Sequence, residues 1–306
     1  MHEAPICVAG ELLIDFIPDD IGSHIPVIGG GAANTARACA ALGLKTYFVG
    51  GISTDEYGKT GAAELLRSGV RLDHARYFDD PSATAKVSFR ENEPCYEFSL
   101  EATATFRFDS SWLPIASPGV LHFGTLATLI EPGALELFEW ASEVVALRVF
   151  DPNVRTSVCS DLVRYRESVA KWAALADVIK LSSEDLETLY LRDGSARNEQ
   201  EVIETFLNAG AKLVLLTRGS AGISAYTAAK SVETPALPIE VVDTVGAGDA
   251  VGAIVVEALS QFGLARLLED KLEAMLVRAA YAGAITCSRQ GAQPPSLNEL
   301  GLLDLD

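Results

Sequence analysis

The sequence has few cysteines, and their arrangement excludes two classes of small scaffold. The five thiols are odd in number and never occur as Cys-x-x-Cys. Neither a disulfide framework nor a cysteine-based zinc site fits that pattern, whereas reduced thiols in a cytoplasm do. The cysteines are Cys7, Cys39, Cys95, Cys159 and Cys287.

Positive charge is also scarce, which excludes partners with an extended negative surface. The chain has 24 Lys and Arg residues and 42 Asp and Glu residues, which gives a formal net charge of −18. Such a chain does not neutralise nucleic acid or an anionic membrane, although a small phosphorylated ligand needs only a local site. The apolar stretch from Ile6 to Leu13 is short and contains Glu11, and no apolar run has membrane-spanning length. We therefore predict a cytoplasmic protein without nucleic-acid or membrane partners.

The hydrophobic pattern predicts an α/β fold. Predicted strands alternate with predicted helices, and this alternation indicates a largely parallel sheet covered on both faces. The strands are expected at 6–9, 46–49, 120–123, 148–150, 178–180 and 213–216, and the helices at 34–42, 57–68, 133–145, 162–175, 183–190, 250–262 and 272–287. No repeat or linker divides the chain, so residues 1–306 are expected to form one domain.

One segment departs from this alternation. Residues 83–100 alternate with period two around a polar turn, which predicts a hairpin. With short strands near 12–18 and 26–28, it is expected to form a small β-sheet lid drawn from about 12–28 and 83–100. A fixed meander at the sheet edge is the alternative. Tyr96 and Phe98 on this hairpin either cover a ligand or pack in the core.

The segment from Asp243 to Asp249, Asp-Thr-Val-Gly-Ala-Gly-Asp, carries the strongest chemical signal. Gly246, Ala247 and Gly248 leave the backbone bare before an apolar helix, and free amides at a helix start attract anions. Asp249 places a carboxylate inside this loop, which makes sense for a base that deprotonates a hydroxyl attacking a phosphate. The alternative is an ordinary helix entry with a first-turn aspartate.

A second glycine-rich segment precedes the first predicted helix. Gly29-Gly30-Gly31 allows a ligand to approach the backbone, and Asn34 both donates to and accepts from hydroxyls. Asp15 lies just upstream and accepts from hydroxyl donors. Together these residues predict a polyol-binding surface, although Asp15 also suits a turn before Pro18. His122, on an apolar strand, is expected to be a core residue with satisfied hydrogen bonds rather than a base.

The two segments, in this order and separation, resemble the paired signatures of the ribokinase (pfkB) family of carbohydrate kinases. The resemblance covers essentially the whole chain. Stretches at Gly10–Asp15, Leu121–Gly124, Asp151–Arg155 and Lys180–Ser182 resemble fructokinase-like members. The family implies a three-layer α/β/α sandwich with a mostly parallel sheet and a β lid, a sugar and ATP as substrates, Mg²⁺, in some members K⁺, and a homodimer formed through the lid.

The resemblance also implies a role for individual residues. Asp249 is expected to be the catalytic base, with the amides of Gly246, Ala247 and Gly248 forming the anion hole. The expected sugar-binding residues are Asp15, Gly30, Gly31, Asn34 and Arg155. The expected nucleotide-binding residues are Lys180, Ser182, Thr217, Gly219, Gly222 and Gly248. The expected metal-binding residues are Asp185 for Mg²⁺, and Asp243 with the Val245 carbonyl for a monovalent cation.

One departure from the family pattern concerns the magnesium site. Where the family has Asn-x-x-Glu, this chain has Ser182-Ser183-Glu184-Asp185. Asp185 is one methylene shorter than the expected glutamate, and Glu184 beside it is a candidate substitute.

Fructose is the leading substrate, and three other functions remain open. A 2-keto-3-deoxygluconate kinase has the same layout and needs a basic residue for the acid, for which Arg155 and Arg90 are candidates. Another sugar kinase is the second, and a non-catalytic sugar or nucleotide sensor is the third. A dinucleotide-dependent dehydrogenase is disfavoured, because no Gly-x-Gly-x-x-Gly follows the first strand.

Overall fold

The structure, a computed structural model, describes residues 4–18, 23–90, 93–114, 117–196 and 198–302. Its strands are β1 (Ile6–Ala9), β2 (Leu13–Pro18), β3 (His24–Gly29), β4 (Thr46–Val49), β5 (Gly51–Ser53), β6 (Arg76–Phe78), β7 (Ala83–Arg90), β8 (Glu93–Ser99), β9 (Val120–Gly124), β10 (Leu147–Asp151), β11 (Val178–Ser182), β12 (Leu213–Thr217), β13 (Ile223–Tyr226) and β14 (Ser231–Thr234). Its α-helices are α1 (Gly31–Ala41), α2 (Glu56–Arg67), α3 (Gly133–Glu143), α4 (Leu162–Ala173), α5 (Ser183–Leu186), α6 (Glu199–Ala209), α7 (Ala247–Arg266), α8 (Leu272–Cys287) and α9 (Leu297–Leu300).

A large sheet forms the centre of the fold, with the strand order β14-β13-β12-β11-β10-β9-β1-β4. From β4 to β12 neighbouring strands run parallel, while β13 and β14 add an antiparallel edge. The predicted α/β fold with a mostly parallel sheet is therefore confirmed. The sequence pattern did not predict β13 and β14, because Ile-Ser-Ala-Tyr and Ser-Val-Glu-Thr mix polar with apolar residues and lack the apolar run that marks β1.

Alternate residues of the central strands enter two hydrophobic cores, one on each face of the sheet. In β1, Ile6 and Val8 join the core shared with α1, α7 and α8, whereas Cys7 and Ala9 join the core shared with α3, α4 and α6. This is the period-two geometry of a strand that is buried on both faces. Because the strands from β4 to β12 run parallel, their carboxyl ends lie at one edge of the sheet. Ligands bind at this edge in open α/β sheets.

A second sheet has the strand order β3-β2-β7-β8. The predicted hairpin is present as the antiparallel pair β7 and β8, and β2 pairs with both β3 and β7. Of the expected polar turn at 91–94, residues 93–94 belong to β8, whereas residues 91–92 lie outside the described residues. The segment 19–22 and the side chains of Arg90 and Tyr96 also lie outside them.

One helical segment is longer than the expectation that no apolar run has membrane-spanning length. The helical run Ala247–Cys287 is long and apolar enough to cross a membrane by composition alone, although 56% of its most apolar window is buried in the fold. The sequence pattern predicted two separate helices there, and Gly263 does interrupt α7 with non-helical angles. A largely buried core helix passes the same test, so the run is weak support for a membrane span.

Candidate active site

The loop before α7 is shaped by an aspartate and a glycine. Asp243 accepts hydrogen bonds from the backbone N–H of Val245 at 3.0 Å and from that of Gly291 at 2.8 Å. Gly246 has a φ of 79°, and a Cβ there would lie 2.6 Å from the Cβ of Ala292. The loop is therefore held against the segment that follows α8. No side chain caps α7 among the described residues, so its N-terminus remains open to an anion.

Asp249 lies in the first turn of α7 and contacts the other glycine-rich segment. Because α1 packs against α7, the side chain of Asn34 lies beside the Asp249 carboxylate and favours its ionised form. A Cβ on Gly31 would lie 2.5 Å from Thr125 Cγ2 and 3.5 Å from Asp249 Oδ1, so Thr125 requires glycine at this position and the bare backbone lies next to the carboxylate. The structure thus joins the two strongest sequence motifs at one point.

Asp249 is nearly buried, and this governs its acidity. Burial raises the pKa of Asp249 to about 7, and the charge of Asp151 adds to the rise. Lys180, Asn34 and Arg155 act in the opposite direction because they favour the ionised carboxylate. A carboxylate poised near neutral pH suits a general base.

A buried carboxylate shapes the first glycine-rich loop. Glu11 accepts hydrogen bonds from the backbone N–H of Gly31 at 2.8 Å, from that of Ala127 at 3.3 Å, and from the hydroxyl of Thr125. Gly30 has a φ of 101°, and a Cβ there would lie 2.6 Å from the Glu11 carbonyl oxygen. Burial raises the pKa of Glu11, against the effect of these hydrogen bonds.

Asp15 projects from β2 toward the same glycine segment. A Cβ on Gly29 would lie 2.1 Å from Asp15 Oδ2, so a side chain there would displace the carboxylate. Burial raises the pKa of Asp15 to about 6, while the charge of Arg155 opposes the rise. Arg155 follows β10, where its own backbone N–H donates to the Tyr165 hydroxyl at 3.0 Å. Arg155 therefore acts electrostatically on both Asp15 and Asp249.

A buried ion pair lies at the ends of the two central strands β10 and β11. Lys180 Nζ is 2.6 Å from Asp151 Oδ2, and both side chains are at most 5% exposed. A Cβ on Gly248 would lie 2.9 Å from the same Nζ, so the ammonium group abuts the first turn of α7. Asp151 Oδ1 has no hydrogen-bond partner within the described part of the chain.

His122 occupies the core as expected, but its hydrogen bonds differ from the expectation. Neither ring nitrogen finds a partner among the described residues. Burial, followed by the charge of Lys180, lowers the pKa of His122 to about 3, so the ring is neutral at physiological pH. A Cβ on Gly252 would lie 3.6 Å from its Nε2, which places the ring beneath α7.

A polar pocket of about 260 Å³ opens beside the ion pair. Asp185 lines it and accepts from the backbone N–H groups of Ser182 and Val154, each at 2.8 Å, so both of its oxygens are engaged. Glu184 lines the same pocket and is exposed. The lining residues are Asn153, Val154, Arg155, Thr156, Ser182, Glu184, Asp185 and Thr188. Among the described residues no group of three or more His, Cys, Asp or Glu side chains forms a metal cluster.

The predicted nucleotide-binding turn lies at the next strand ends. Thr217 pairs with Ser182 across β11 and β12, at the same edge of the sheet as Asp151. Gly219 and Gly222 form the turn into β13 with φ of 53° and 97°. A Cβ on Gly222 would lie 2.1 Å from the Thr234 carbonyl oxygen, so this position requires glycine.

The predicted residues form three neighbouring groups at the carboxyl edge of the sheet. The first surrounds Asp249 and consists of Gly31, Asn34, Lys180 and Gly248. The second is the Asp15–Arg155 pair, which the charge of Arg155 links to Asp249, and the third is the strand-end turn at 217–222; the loop at 243–246 leads directly into α7.

Sequence reasoning missed four residues that shape this site. Glu11, Thr125, Asp151 and Asn153 received no role, although Glu11, Asp151 and Asn153 occur in stretches that resemble fructokinases. Their position in the sequence was the signal that could have identified them. Each of these polar residues follows or ends a buried strand, which is where functional residues lie in a parallel sheet. Thr125 and Asn153 have positive φ values of 53° and 37°, which sequence alone does not reveal.

Comparison with known proteins gives consistent matches across the chain. Residues 4–299 match the family described as pfkB family carbohydrate kinase. A fructokinase from Rhizobium leguminosarum bv. trifolii is 34% identical over 270 residues, covering 85% of this chain and 81% of the relative.

Solved structures agree with this match. A fructokinase with bound ATP from Xylella fastidiosa superposes with a TM-score of 0.89 at 28% identity, covering 98% of both chains. A fructokinase double mutant from Vibrio cholerae O395, with fructose, ADP and a potassium ion bound, has a TM-score of 0.85 at 26% identity and covers 97% of both chains.

Proposed function

Because this chain belongs to the pfkB family of carbohydrate kinases, we propose that it transfers the terminal phosphoryl group of ATP to a hydroxyl of fructose. The chain is an ATP-dependent sugar kinase, and its resemblance to fructokinases supports the choice of sugar. The observation that carries the proposal is the meeting of Asp249 with Asn34 and the Gly31 backbone at the open N-terminus of α7.

In the proposed reaction Asp249 removes the proton from the attacking sugar hydroxyl. The sugar oxygen bonds to the terminal phosphorus as the bond to the ADP oxygen breaks, and the proton stays on Asp249. The backbone of Gly246, Ala247 and Gly248 stabilises charge on the non-bridging oxygens. A positioned base contributes roughly 10²- to 10⁴-fold.

Both substrates are assigned to residues near Asp249. We assign the sugar to Asp15, Gly30, Gly31, Asn34 and Arg155, where carboxylate, amide and guanidinium groups meet bare backbone. We assign the nucleotide to Lys180, Ser182, Thr217, Gly219, Gly222 and Gly248 along the strand ends.

The metal assignments rest on the chemistry of the available oxygen ligands. Mg²⁺ prefers one or two carboxylates together with substrate phosphates, and the carboxylates of Glu184 and Asp185 both line the polar pocket. Asp243 and the Val245 carbonyl are the corresponding proposal for K⁺. When bound, the magnesium ion neutralises phosphate charge.

Three broader assignments accompany the activity. We propose that residues 1–306 form one kinase domain, that it works in the cytoplasm, and that the second sheet covers the sugar and pairs two subunits. The exposed side chains of Ile25 and Tyr57 around β2 and β3 support a contact there.

The test is ADP formation from Mg-ATP with D-fructose, 2-keto-3-deoxygluconate, D-ribose, D-tagatose and adenosine. We expect turnover concentrated on fructose, and we expect Asp249→Asn to lose it while ATP binding persists. Asp73→Asn, at an exposed turn, is the matched control. Activity of Asp249→Asn within tenfold of the unmodified chain would contradict the base assignment.

The other substrates separate the alternative functions. Turnover on the keto acid alone would favour the acid kinase, with Arg155 as the carboxylate-binding residue. No turnover in a folded protein that binds ATP would favour the sensor.

A further inference from the structure

Lys180 is a buried cation whose position indicates a task in addition to contact with the nucleotide. It is 4% exposed, and its ammonium group lies 2.6 Å from Asp151 Oδ2. Removing two such charges from water costs free energy, so a buried ion pair contributes little to the stability of the fold. Stability alone therefore does not explain this pair. The pair lies directly beneath the first turn of α7, because a Cβ on Gly248 would meet Lys180 Nζ at 2.9 Å.

The charges around Lys180 are predominantly negative. Burial lowers the pKa of Lys180, but Asp151, Asp249 and Asp185 together outweigh burial and raise it. His122 lies nearby but is neutral. Arg155 has a weaker influence on Asp249 than Lys180 does. Lys180 is therefore the buried positive charge that faces both Asp151 and Asp249.

We propose that Lys180 is a positioning residue, fixed by Asp151, that favours the ionised form of the buried Asp249 and anchors the start of α7. This inference rests on the proposed role of Asp249 as the base. A base accepts a proton only when it is ionised, and burial opposes ionisation. Asp151 holds the ammonium group in place, so a single cation serves two carboxylates.

The two partners have effects of opposite sign, which makes the proposal testable. Removing the cation with Lys180→Met leaves burial and Asp151 to raise the pKa of Asp249 further. The acidic limb of the activity profile then moves to higher pH. Removing the neighbouring negative charge with Asp151→Asn lowers the pKa of Asp249 and moves that limb to lower pH.

Two measurements separate this role from a nucleotide contact. One is the pH dependence of kcat for fructose at saturating Mg-ATP, together with the KM for ATP. The other is a ¹³C-carboxyl NMR titration in which Asp249→Asn identifies the signal, and which needs no turnover. Lys212→Met, at an exposed lysine just before β12, is the matched control.

We expect Lys180→Met to move both the acidic limb and the Asp249 titration upward by about one pH unit or more. We expect Asp151→Asn to move both downward and Lys212→Met to move neither. An unchanged limb and titration in Lys180→Met, with a raised KM for ATP, would overturn the proposal and leave Lys180 with nucleotide binding alone.

A double variant guards against a folding defect in the single one. Lys180→Met leaves the buried Asp151 carboxylate without its cation, so it is paired with Lys180→Met/Asp151→Asn, which removes both charges. Because Lys180 acts on Asp249 more strongly than Asp151 does, we expect a smaller upward shift in the double variant than in Lys180→Met, and a downward shift would overturn the inference. If the unmodified chain phosphorylates no sugar, the proposed function fails, while the NMR titration still decides the effect of Lys180.

Discussion

Glu11 shapes a loop to which it does not belong. Its carboxylate binds backbone N–H groups of Gly31 and Ala127 and the hydroxyl of Thr125. These segments belong to the predicted sugar-binding loop and to the turn after β9. One buried side chain therefore sets the distance between two backbone segments at the proposed sugar site.

At the residue scale, we expect Glu11→Gln to weaken sugar binding. The new amide group turns a donor toward N–H groups that need acceptors, and each unsatisfied group costs about 1–3 kcal/mol. We expect KM for the sugar to rise roughly 5- to 100-fold, with KM for ATP much less affected. Steady-state kinetics checks this, with Glu139→Gln on the exposed surface of α3 as control. An equal rise in both KM values would instead indicate general misfolding.

The start of α7 is the element on which the proposed chemistry depends. Its amides face the anion only if Gly246 keeps its left-handed conformation, and the loop touches Ala292 after α8. The same helix contains Gly263, whose φ of 69° is similar, but a Cβ added there would meet no atom within 4 Å. The two glycines thus share a left-handed backbone and differ in steric surroundings.

At the element scale, we expect Gly246→Ala to be far more damaging than Gly263→Ala. Both substitutions impose about 1 kcal/mol of left-handed strain, but only the first forces the loop away from Ala292. We expect Gly246→Ala to lower kcat by roughly 10²-fold through displaced amides. Gly263→Ala should retain kcat. Denaturant unfolding and kinetics on both variants check the difference, and equal kcat values would contradict it.

At the scale of the whole molecule, the parallel sheet assembles the site. Glu11 follows β1, Asp151 ends β10 and Ser182 ends β11, and all reach the same edge because these strands run in the same direction. The second sheet has β3 as an edge strand, and β3 carries the exposed Ile25. An edge strand with an exposed apolar side chain invites pairing with a second copy.

We expect Ile25→Lys to disrupt the proposed dimer, since a charge there opposes apolar contact between two lids. Analytical ultracentrifugation over a range of concentrations should show a dimer for the unmodified chain and a shift toward monomer for the variant. Val145→Lys replaces an even more exposed valine after α3 and should leave the dimer intact. A monomeric unmodified chain would contradict the lid contact.

Much of the fold was predictable because its signals are local. The helix 272–287 and the strands 6–9 and 46–49 were predicted with their observed bounds, since the helix is a long Ala-rich apolar segment and the strands are short, mostly apolar runs. The short strands β13 and β14 were missed because polar residues interrupt their apolar residues. Asp249 and Asn34 were singled out because small residues before a helix are visible in sequence, whereas Glu11 looked like one polar residue after a strand.

The sequence by itself determined the order of strands and helices, the two glycine-rich segments and the family to which the chain belongs. Only the tertiary structure decided that Asn34 lies beside Asp249, that Glu11 holds the Gly31 amide, and that Lys180 faces both Asp151 and Asp249. The reason is physical. Periodicity and turn chemistry act over a few residues, whereas these contacts depend on which strands become neighbours and on how α1 packs against α7.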